Sequence, residues 1–305
     1  MKIIRNSNPA GPRVIALGTF DGVHLGHREL IRRSREMARA QGVPLRVYTF
    51  DRHPLEILRP EAAPGRLQTP EEQAEMMAEC GADELCVIAF TRETAATEPE
   101  DFLRRLHAEC EIRGIAAGWN YSFGRGGLGN AELLRADAER FGYRAEIVPP
   151  VRTPEGEVIS SSAIREKLKR GETEAAEEML GYPYRIRGTV VNGKHEGTRI
   201  GFPTANIRTE AEKLLPAWGV YACMLESGGK SWKAVVNIGE QPTIPSGHVT
   251  VEAHALGVRM DLYGQKAGVA LRTYLRPEKR FASVEELTAQ IARDREKAEE
   301  ILREA

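Results

Sequence analysis

Two histidines flanked by glycines follow a short apolar run near the start of the chain. The sequence there reads Gly18-Thr19-Phe20-Asp21-Gly22-Val23-His24-Leu25-Gly26-His27 and continues into an amphipathic stretch. Glycines let the backbone approach a ligand closely, and the free N–H groups and dipole of a helix N-terminus attract phosphate. Imidazoles three residues apart can both donate hydrogen bonds to phosphoryl oxygens as negative charge builds up. This segment, residues 18–27, is called the paired-histidine turn. We predict that it binds phosphate through Gly18, Phe20, Asp21, Gly22, His24, Gly26 and His27.

A second group of residues that suits an anion lies at the start of a later amphipathic stretch. The segment reads Ile159-Ser160-Ser161-Ser162-Ala163-Ile164-Arg165. Serine hydroxyls and N–H groups at a helix start, followed one turn later by an arginine, can together bind phosphate oxygens. A serine-rich helix start on its own usually serves only as a cap. Because this chain also has the paired-histidine turn, we interpret Ser160, Ser161, Ser162 and Arg165 as a second group that binds phosphate.

A glycine-rich segment further along favours a different class of enzyme. Gly124-Arg125-Gly126-Gly127-Leu128-Gly129 matches the G-x-G-x-x-G spacing of dinucleotide-binding proteins, so a nicotinamide- or flavin-dependent oxidoreductase is an alternative. The segment follows the fourth apolar run, however, whereas the fingerprint follows the first strand. The next run ends in Val148-Pro149-Pro150, where an acidic ribose ligand is expected. These two differences favour phosphate-transfer chemistry over the oxidoreductase.

Polar residues in the second half of the chain indicate a separate candidate site. The alternation over Val249–Leu256 places Thr250, Glu252 and His254 on one face of a strand. A glutamate in that position either faces solvent or accepts a proton in catalysis. The polar segment from Gly197 to Asn206 can, from its residues alone, be a β-turn with capping side chains.

The elements that must position these residues change character in the middle of the chain. In the first half, apolar runs alternate with amphipathic stretches that begin near His27, Pro70, Glu98 and Asn130, which predicts a parallel sheet covered by helices on both faces. Ligands in such sheets bind beyond the carboxyl ends of the strands. From about Tyr184 the apolar period is two, which predicts an antiparallel barrel or sandwich with one helix packed on it. The predicted strands are Val14–Gly18, Leu45–Phe50, Leu85–Phe90, Ile115–Trp119, Ala145–Val148, Tyr184–Val191, Gly219–Glu226, Trp232–Ile238, Val249–Leu256 and Gly268–Leu275.

Capping signals and a change of pattern divide the chain further. Capping boxes are predicted with Thr69, Thr97 and Ser283 as N-caps, each with a glutamate three residues later. A helix over Ser160–Arg170 closes the first half. The boundary is predicted near Gly181-Tyr182-Pro183, which gives domains of 1–182 and 183–305.

Composition excludes several classes of protein. The 305 residues are 41% hydrophobic and 29% charged, which is typical of a soluble globular protein of about two domains. The 43 Lys and Arg balance 44 Asp and Glu, so no nucleic-acid or membrane-surface partner is expected. No apolar run is long enough for a membrane span, and no secretory signal is expected at the N-terminus. None of the four cysteines forms a C-x-x-C pair, so we expect a reduced, cytoplasmic protein.

The motifs of the first half resemble those of nucleotidylyltransferases, which transfer a nucleoside monophosphate from ATP to an acceptor phosphate. His24-Leu25-Gly26-His27 is similar to their H-x-G-H signature, and Ile159–Arg165 to their I-S-S-[ST]-x-[IV]-R segment. Gly118–Gly124 resembles the G-x-[DN]-F-x-F-G stretch of the flavin adenylyltransferases, and Phe50–Pro54 their F-x-P-H-P segment. The resemblance implies a Rossmann-like domain in which His24, His27 and Arg165 are catalytic and Ser160, Ser161 and Ser162 bind the ATP triphosphate. It also implies flavin contacts from His53, Asn120, Tyr121 and Phe123.

The second half resembles riboflavin kinase. Gly201-Phe202-Pro203-Thr204-Ala205-Asn206 matches the G-F-P-T-A-N motif in order, and Glu252 matches the glutamate of V-E-x-H. The resemblance implies that Thr204 and Asn206 hold Mg²⁺, that Gly197, Gly201 and Pro203 contact ATP, and that Glu252 is the general base. Together the two halves resemble the bifunctional riboflavin kinase/FAD synthetase family over about residues 12–300. That family phosphorylates riboflavin to FMN in an antiparallel barrel domain and adenylylates FMN to FAD in the Rossmann-like domain.

Several positions depart from the family pattern and leave an alternative open. They are Arg52, Gly127, Asn192, Thr198 and Arg199, and Tyr121 stands where phenylalanine is usual. A catalytically weakened homologue that binds flavin or regulates is the resulting alternative. A homo-oligomer is compatible with the sequence, which also leaves open a preference for reduced flavin and direct transfer of FMN between the sites.

Overall fold

A computed structural model describes residues 1–5, 10–192, 201–240, 249–258 and 260–304. The chain forms two compact units, Met1–Ser161 and Ser162–Ala305, and each is described by itself. In the described part of the chain, none of the helices combines the length and apolar character that crossing a membrane requires.

The first unit is built on a six-stranded parallel sheet with the strand order β1-β4-β3-β2-β5-β6. The predicted parallel α/β sheet is confirmed. The structure adds the edge strand β1, whose three residues are too few to form a recognisable sequence pattern. Its core contains Ile15, Leu17, Ile115 and Ala117, at most 1% exposed. The strands are β1 Lys2–Ile4, β2 Ala10–Leu17, β3 Leu45–Phe50, β4 Glu84–Ile88, β5 Cys110–Gly118 and β6 Arg144–Val148.

Strand order places a crevice at the carboxyl ends of β2 and β5. The chain runs from β2 outward through β3 and β4, then crosses back to β5 on the other side of β2. A parallel sheet binds ligands where the order reverses in this way. Leu17 pairs with Ala117, so the loops that follow β2 and β5 leave the sheet side by side.

Helices cover this sheet. The N-caps of two of these helices can be compared with the capping boxes predicted from the sequence. They are α1 Leu25–Ala40, α2 Leu55–Leu58, α3 Pro70–Glu79, α4 Arg92–Ala95, α5 Pro99–Glu109 and α6 Ala131–Phe141, with 3₁₀ turns at Pro60–Ala62 and Arg125–Gly127. Thr69 forms the predicted capping box with Glu72. The Thr97 cap is wrong: Glu98 is the N-cap of α5, and the Thr97 hydroxyl instead donates to the carbonyl of Glu93. The short helix α4 ends just before Thr97, so that carbonyl competes successfully for the hydroxyl.

The second unit is a closed antiparallel barrel with the order β10-β11-β8-β7-β12-β9. Tyr221, Cys223, Val236, Val251 and Val269 fill it and are at most 1% exposed. The strands are β7 Arg185–Val191, β8 Ala205–Arg208, β9 Gly219–Ser227, β10 Lys230–Glu240, β11 Val249–Ala255 and β12 Lys266–Arg276, and the helices are α7 Ser161–Lys169, α8 Thr173–Leu180 and α9 Val284–Ile301 with a 3₁₀ turn at Leu302–Glu304.

The barrel and terminal helix confirm the prediction for the second half. Gly228 and Gly229 form the predicted hairpin turn between β9 and β10, with φ of 56° and 74° that a side chain would strain. Ser283 caps α9 by accepting from the N–H of Glu286, but the Glu286 carboxylate accepts from Ala282 rather than from Ser283. The sequence analysis predicted neither β8 nor α8, and β8 has only four residues, too few to show a period of two.

Candidate active sites

The paired-histidine turn lies at the carboxyl end of β2 and leads into α1. His24 is the N-cap of α1, and its Nδ1 accepts from the backbone N–H of His27 at 3.3 Å. A ring nitrogen that accepts an N–H carries no proton, so the proton of a neutral His24 is on Nε2. The first turn of α1 has no acidic residue, so nothing there competes with an anion for the positive end of the helix.

The two imidazoles are stacked on each other. Their ring centroids are 3.6 Å apart with an interplanar angle of 16°. Burial, and secondarily the neighbouring His24, lower the pKa of His27 well below its ordinary value. His27 Nδ1 is buried and has no hydrogen-bond partner among the described residues. The site therefore holds a neutral imidazole with an unsatisfied polar atom, which a phosphoryl group is suited to satisfy.

Backbone strain and close packing hold the turn in place. Phe20 and Val23 have positive φ of 52° and 30°, which side chains adopt at a cost of about 1–3 kcal/mol each. The buried Phe20 ring meets the His27 ring edge-on at 5.2 Å between centroids. It also covers Gly18 so closely that a Cβ there would lie 2.9 Å from Phe20 Cζ. A Cβ on Gly26 would lie 3.1 Å from His24 Cε1, so a side chain at either glycine would press on a ring of this turn.

Asp21 and Ser161 tie this turn to its surroundings. The Asp21 carboxylate accepts from the N–H of Leu67 at 3.0 Å and of Gln68 at 3.3 Å. The Ser161 hydroxyl donates to the Asp21 carbonyl at 2.7 Å. These contacts hold Asp21 in place within the turn, and its phosphate contact stays a prediction. Ser162 is exposed, and Arg165, one turn into α7, is 5% exposed in the second unit.

The predicted flavin contacts have different surroundings. Asn120 is exposed after β5, Tyr121 is partly buried, and Phe123 is a core residue that is 5% exposed. The Phe123 ring packs between Phe102 and Tyr121, at centroid distances of 5.3 and 5.9 Å. Phe123 thus has a packing role, and Asn120 and Tyr121 are the members of this set nearer the surface.

His53 lies at the edge of a small cleft that also includes Asp21, Arg66 and Gln68. Its ring Nδ1 accepts from the backbone N–H of Leu55 at 3.2 Å. The backbone N–H of His53 donates to the Glu56 carboxylate at 2.9 Å. The cleft therefore begins at the paired-histidine turn and extends toward α2.

The glycine-rich segment at Gly124–Gly129 does not form a dinucleotide-binding turn. It contains a 3₁₀ turn at Arg125–Gly127, and Phe123 and Gly129 form an isolated bridge across it. The helix that follows, α6, begins instead with the side-chain cap of Asn130. The strand before it is β5 and not the first strand of the fold, so the geometry argues against the oxidoreductase alternative.

In the second unit, three neighbouring strands place three polar residues in a row. Asn206 on β8 is opposite Glu252 on β11, and Glu252 is opposite Asn237 on β10. Directly opposed residues of antiparallel strands have their Cβ atoms about 4.5–5.5 Å apart on the same face. Val251 and Ala253, which flank Glu252, are 1% exposed inside the barrel, so Glu252 faces outward. Sequence reasoning singled out Asn206 and Glu252, and the register adds Asn237.

This outward face opens into a cavity of about 300 Å³ beside α9. The cavity combines an apolar lining with charged side chains and the candidate base Glu252. Its lining residues are Phe202, Thr204, Val220, Val235, Asn237, Glu252, His254, Arg276, Glu278, Lys279, Phe281, Leu287, Ile291, Asp294 and Arg295. Thr204 is thus in the same cavity as Glu252, as the resemblance implies. Gly201 is exposed and Pro203 is partly buried next to it in the chain, whereas Gly197, Thr198 and Arg199 lie outside the described residues.

One ion pair and one amide–carboxylate hydrogen bond shape the wall of this cavity. Arg276 binds the buried Asp294 of α9 through two nitrogens, at 2.8 to 3.1 Å. The Asn237 amide donates to Glu278 at 3.2 Å, and a Cβ on Gly239 would lie 1.8 Å from that carboxylate. The segment after β12 is thereby fixed over β10. The sequence matched this segment to the family without assigning it a role, since its partners come from α9 and β10.

Comparisons with known proteins cover both halves of the chain. The family model described as FAD synthetase matches residues 7–163, and the one described as riboflavin kinase matches residues 180–302. The bifunctional riboflavin kinase/FMN adenylyltransferase of Escherichia coli K12 is 39% identical over 302 residues, 96% of each chain. This chain belongs to the bifunctional riboflavin kinase/FMN adenylyltransferase family.

Other members of this family and a solved structure agree in length with this chain. The enzyme of that name from Listeria monocytogenes is 35% identical over 284 residues, 92% of this chain and 90% of the relative. A crystal structure from Streptococcus pneumoniae, described as a macrolide-efflux protein, has a TM-score of 0.89 and 30% identity and covers 100% of both chains. The resemblance inferred from the motifs is therefore confirmed over nearly the whole chain.

Proposed function

We propose that this chain makes FAD from riboflavin in two steps, each in its own half. The second half transfers the γ-phosphate of ATP to riboflavin and gives FMN, and the first half transfers AMP from ATP to FMN and gives FAD and pyrophosphate. The match of both halves to their family models carries this proposal. The outward row of Asn206, Glu252 and Asn237 supports the kinase assignment.

Riboflavin phosphorylation needs a base, because the vitamin's 5′-hydroxyl is a weak nucleophile while it keeps its proton. Glu252 lies in the cavity beside α9, where its carboxylate can accept that proton as the oxygen attacks the γ-phosphate. Val220, Val235, Leu287 and Ile291 line the same cavity and suit the flat ring of the vitamin. We therefore assign the role of general base to Glu252.

Magnesium is the metal that this reaction requires, and the residues present fit it. Thr204 and Asn206 offer hydroxyl and amide oxygens, the donors that Mg²⁺ prefers, next to the Glu252 strand. When bound with ATP, the ion offsets the negative charge of the phosphates. The protein's share is to hold those two side chains beside the base and, through Gly201 and Pro203, to shape the ATP contact.

AMP transfer needs no base and no protein nucleophile, because the attacking FMN phosphate is already an anion. Its oxygen attacks the α-phosphate of ATP, and the bond to pyrophosphate breaks. We assign the stabilisation of the charge that builds up to His24, His27 and the N–H groups at the start of α1, and the stacking of the two rings at this helix start supports the assignment. We assign Arg165 and the serines Ser160–Ser162 to the triphosphate, and His53, Asn120 and Tyr121 to the flavin.

We further propose domains of 1–182 and 183–305 and a reducing cellular compartment, the cytoplasm. The second family model begins at residue 180, close to this boundary, whereas the compact units divide earlier, at Ser161. All four cysteines are free thiols, as is usual in a reducing compartment.

Incubation of the purified protein with riboflavin and MgATP, followed by separation of the flavins, tests the proposal. FMN is expected first and FAD afterwards. A protein that binds riboflavin but leaves it unchanged would be the weakened homologue. Formation of FMN without FAD would limit the activity to the kinase half.

A further inference from the structure

His254 is a residue of the kinase cavity to which the proposed chemistry gives no role. It lies on β11 two residues after Glu252 and therefore on the same outward face. Its Nδ1 is 2.8 Å from the carbonyl oxygen of Pro203. A carbonyl oxygen only accepts, so the ring proton of His254 is on Nδ1 and is donated to Pro203.

This hydrogen bond lies where strand pairing stops. Strands β8 and β11 pair at Asn206 with Glu252 and at Ala205 with Ala253. Pro203 has no N–H to offer a neighbouring strand. The His254 side chain instead holds the segment by its carbonyl, just before Thr204.

An aromatic contact between Phe202 and His254 also holds this segment. The Phe202 ring meets the His254 ring edge-on, with centroids 5.6 Å apart and an interplanar angle of 78°. The Arg295 guanidinium of α9 lies over the Phe202 ring, 5.6 Å from its centroid. His254 thus joins the segment before Thr204 to β11, and Phe202 joins it to α9.

Burial favours the neutral form of His254. Burial first, and the Arg295 charge in addition, lower the pKa of His254, while the bond to Pro203 opposes the change. A neutral ring with its proton on Nδ1 keeps the bond to Pro203. It also adds no positive charge to a site that must accept a proton at Glu252.

We propose that His254 is a positioning residue of the kinase site. By holding the Pro203 carbonyl, it fixes the oxygens of Thr204 and Asn206 relative to the Glu252 carboxylate. The inference rests on the proposed kinase function, which assigns the metal to Thr204 and Asn206 and the role of base to Glu252. Displacement of such groups by about 1 Å can cost on the order of 100-fold in rate.

Two nearly isosteric variants separate the hydrogen bond from packing. His254→Asn keeps an N–H donor near the position of Nδ1, and His254→Leu has a similar volume without a donor. We expect His254→Leu to lower kcat for riboflavin phosphorylation by about tenfold or more and to raise the Mg²⁺ concentration for half-maximal rate, with a smaller change in KM for riboflavin. His254→Asn should retain activity within about threefold of the wild type.

A binding measurement checks the same effect without turnover. Free Mn²⁺, measured by its electron paramagnetic resonance signal in the presence of ADP, reports metal–nucleotide binding to the full chain. His254→Leu should weaken Mn²⁺ binding at the kinase site about tenfold, and His254→Asn should leave that binding near wild type. Conversion of supplied FMN to FAD checks that the first half is intact.

The outcomes are distinguishable. If both variants match the wild type in Mg²⁺ and Mn²⁺ dependence, or if both lose activity equally, the hydrogen bond has no positioning role and the inference is wrong. A wild-type protein that does not phosphorylate riboflavin would instead overturn the proposed function.

Discussion

The two candidate sites carry functional groups of opposite chemical character, and the reactions that we assign to them explain the difference. The paired-histidine turn presents stacked imidazoles and a helix N-terminus without an acidic residue in its first turn. The barrel site presents a carboxylate, Glu252, between two asparagines. An attacking phosphate is already charged, so its site needs only groups that stabilise negative charge. An attacking hydroxyl must lose a proton, so its site needs a base.

The sites also differ in how the fold positions their residues. The first is built from a loop, and its backbone is forced into positive φ at Phe20 and Val23. The second is built from strand faces, where register alone places Asn206, Glu252 and Asn237 side by side. Loop sites bring backbone N–H groups to a ligand, because strand N–H groups are used in the ladder. Strand sites supply side chains instead.

The largest effect is expected from removal of the base. Glu252→Gln keeps the shape of the side chain but cannot accept the hydroxyl proton, so FMN formation should fall by about 100- to 10,000-fold. Conversion of supplied FMN to FAD should be unchanged in the same protein. Both rates are measured by separating the flavins, and FMN formation near the wild-type rate would show that Glu252 is not the base.

A smaller loss is expected from removal of one imidazole in the first half. His27→Ala removes a group that stabilises charge on the transferred phosphoryl group, and FAD formation from FMN should fall by about 100-fold. Riboflavin phosphorylation should be retained. Equal loss of both activities would contradict the separation of the sites and indicate general unfolding.

The packing of the turn can be tested with two glycines of the same region. Gly18→Ala places a Cβ 2.9 Å from the Phe20 ring, whereas Gly11→Ala on β2 meets nothing within 4 Å. We expect Gly18→Ala to lower FAD formation about tenfold and to cost about 1–3 kcal/mol of stability, because the ring beneath His27 must move. Gly11→Ala is the matched control and should resemble the wild type in both measurements.

The smallest effect concerns pH. Since the pKa of His27 is lowered in the folded protein, the unfolded chain binds more protons just below the ordinary histidine pKa of about 6.5. The stabilisation is complete above that pH and is lost as pH falls, by at most about 1.4 kcal/mol per pH unit. Denaturant unfolding of His27→Gln between pH 5 and 7.5 should show a shallower decline than the wild type, and an equal slope would contradict the buried neutral imidazole.

Sequence patterns predicted the parts of this molecule that depend on periodicity and on residues close together in the chain. Alternating apolar runs predicted both the parallel sheet and the barrel, and the glycine–histidine spacing located a turn at the carboxyl end of β2. Residues whose role depends on a distant partner were not predictable. Asn237 needed the register of β10 with β11, and Arg276 needed Asp294 of α9.

Other positions depended on competition between neighbours. Tyr121 and Phe123 are both aromatic residues of one loop, and only packing against Phe102 decides that Phe123 enters the core. The hydroxyl of Thr97 had a choice between capping α5 and bonding the carbonyl of Glu93. Local sequence carries no information about which partner wins in such cases.

The most direct test of two independent sites is to mix two variants that each lack one of the two activities. Glu252→Gln alone and His27→Ala alone should each make almost no FAD from riboflavin and MgATP. A mixture should restore FAD formation, because FMN released by His27→Ala can diffuse to the intact first half of Glu252→Gln. Failure of the mixture to form FAD, while each variant retains its other activity, would contradict two independent sites that exchange FMN through solution.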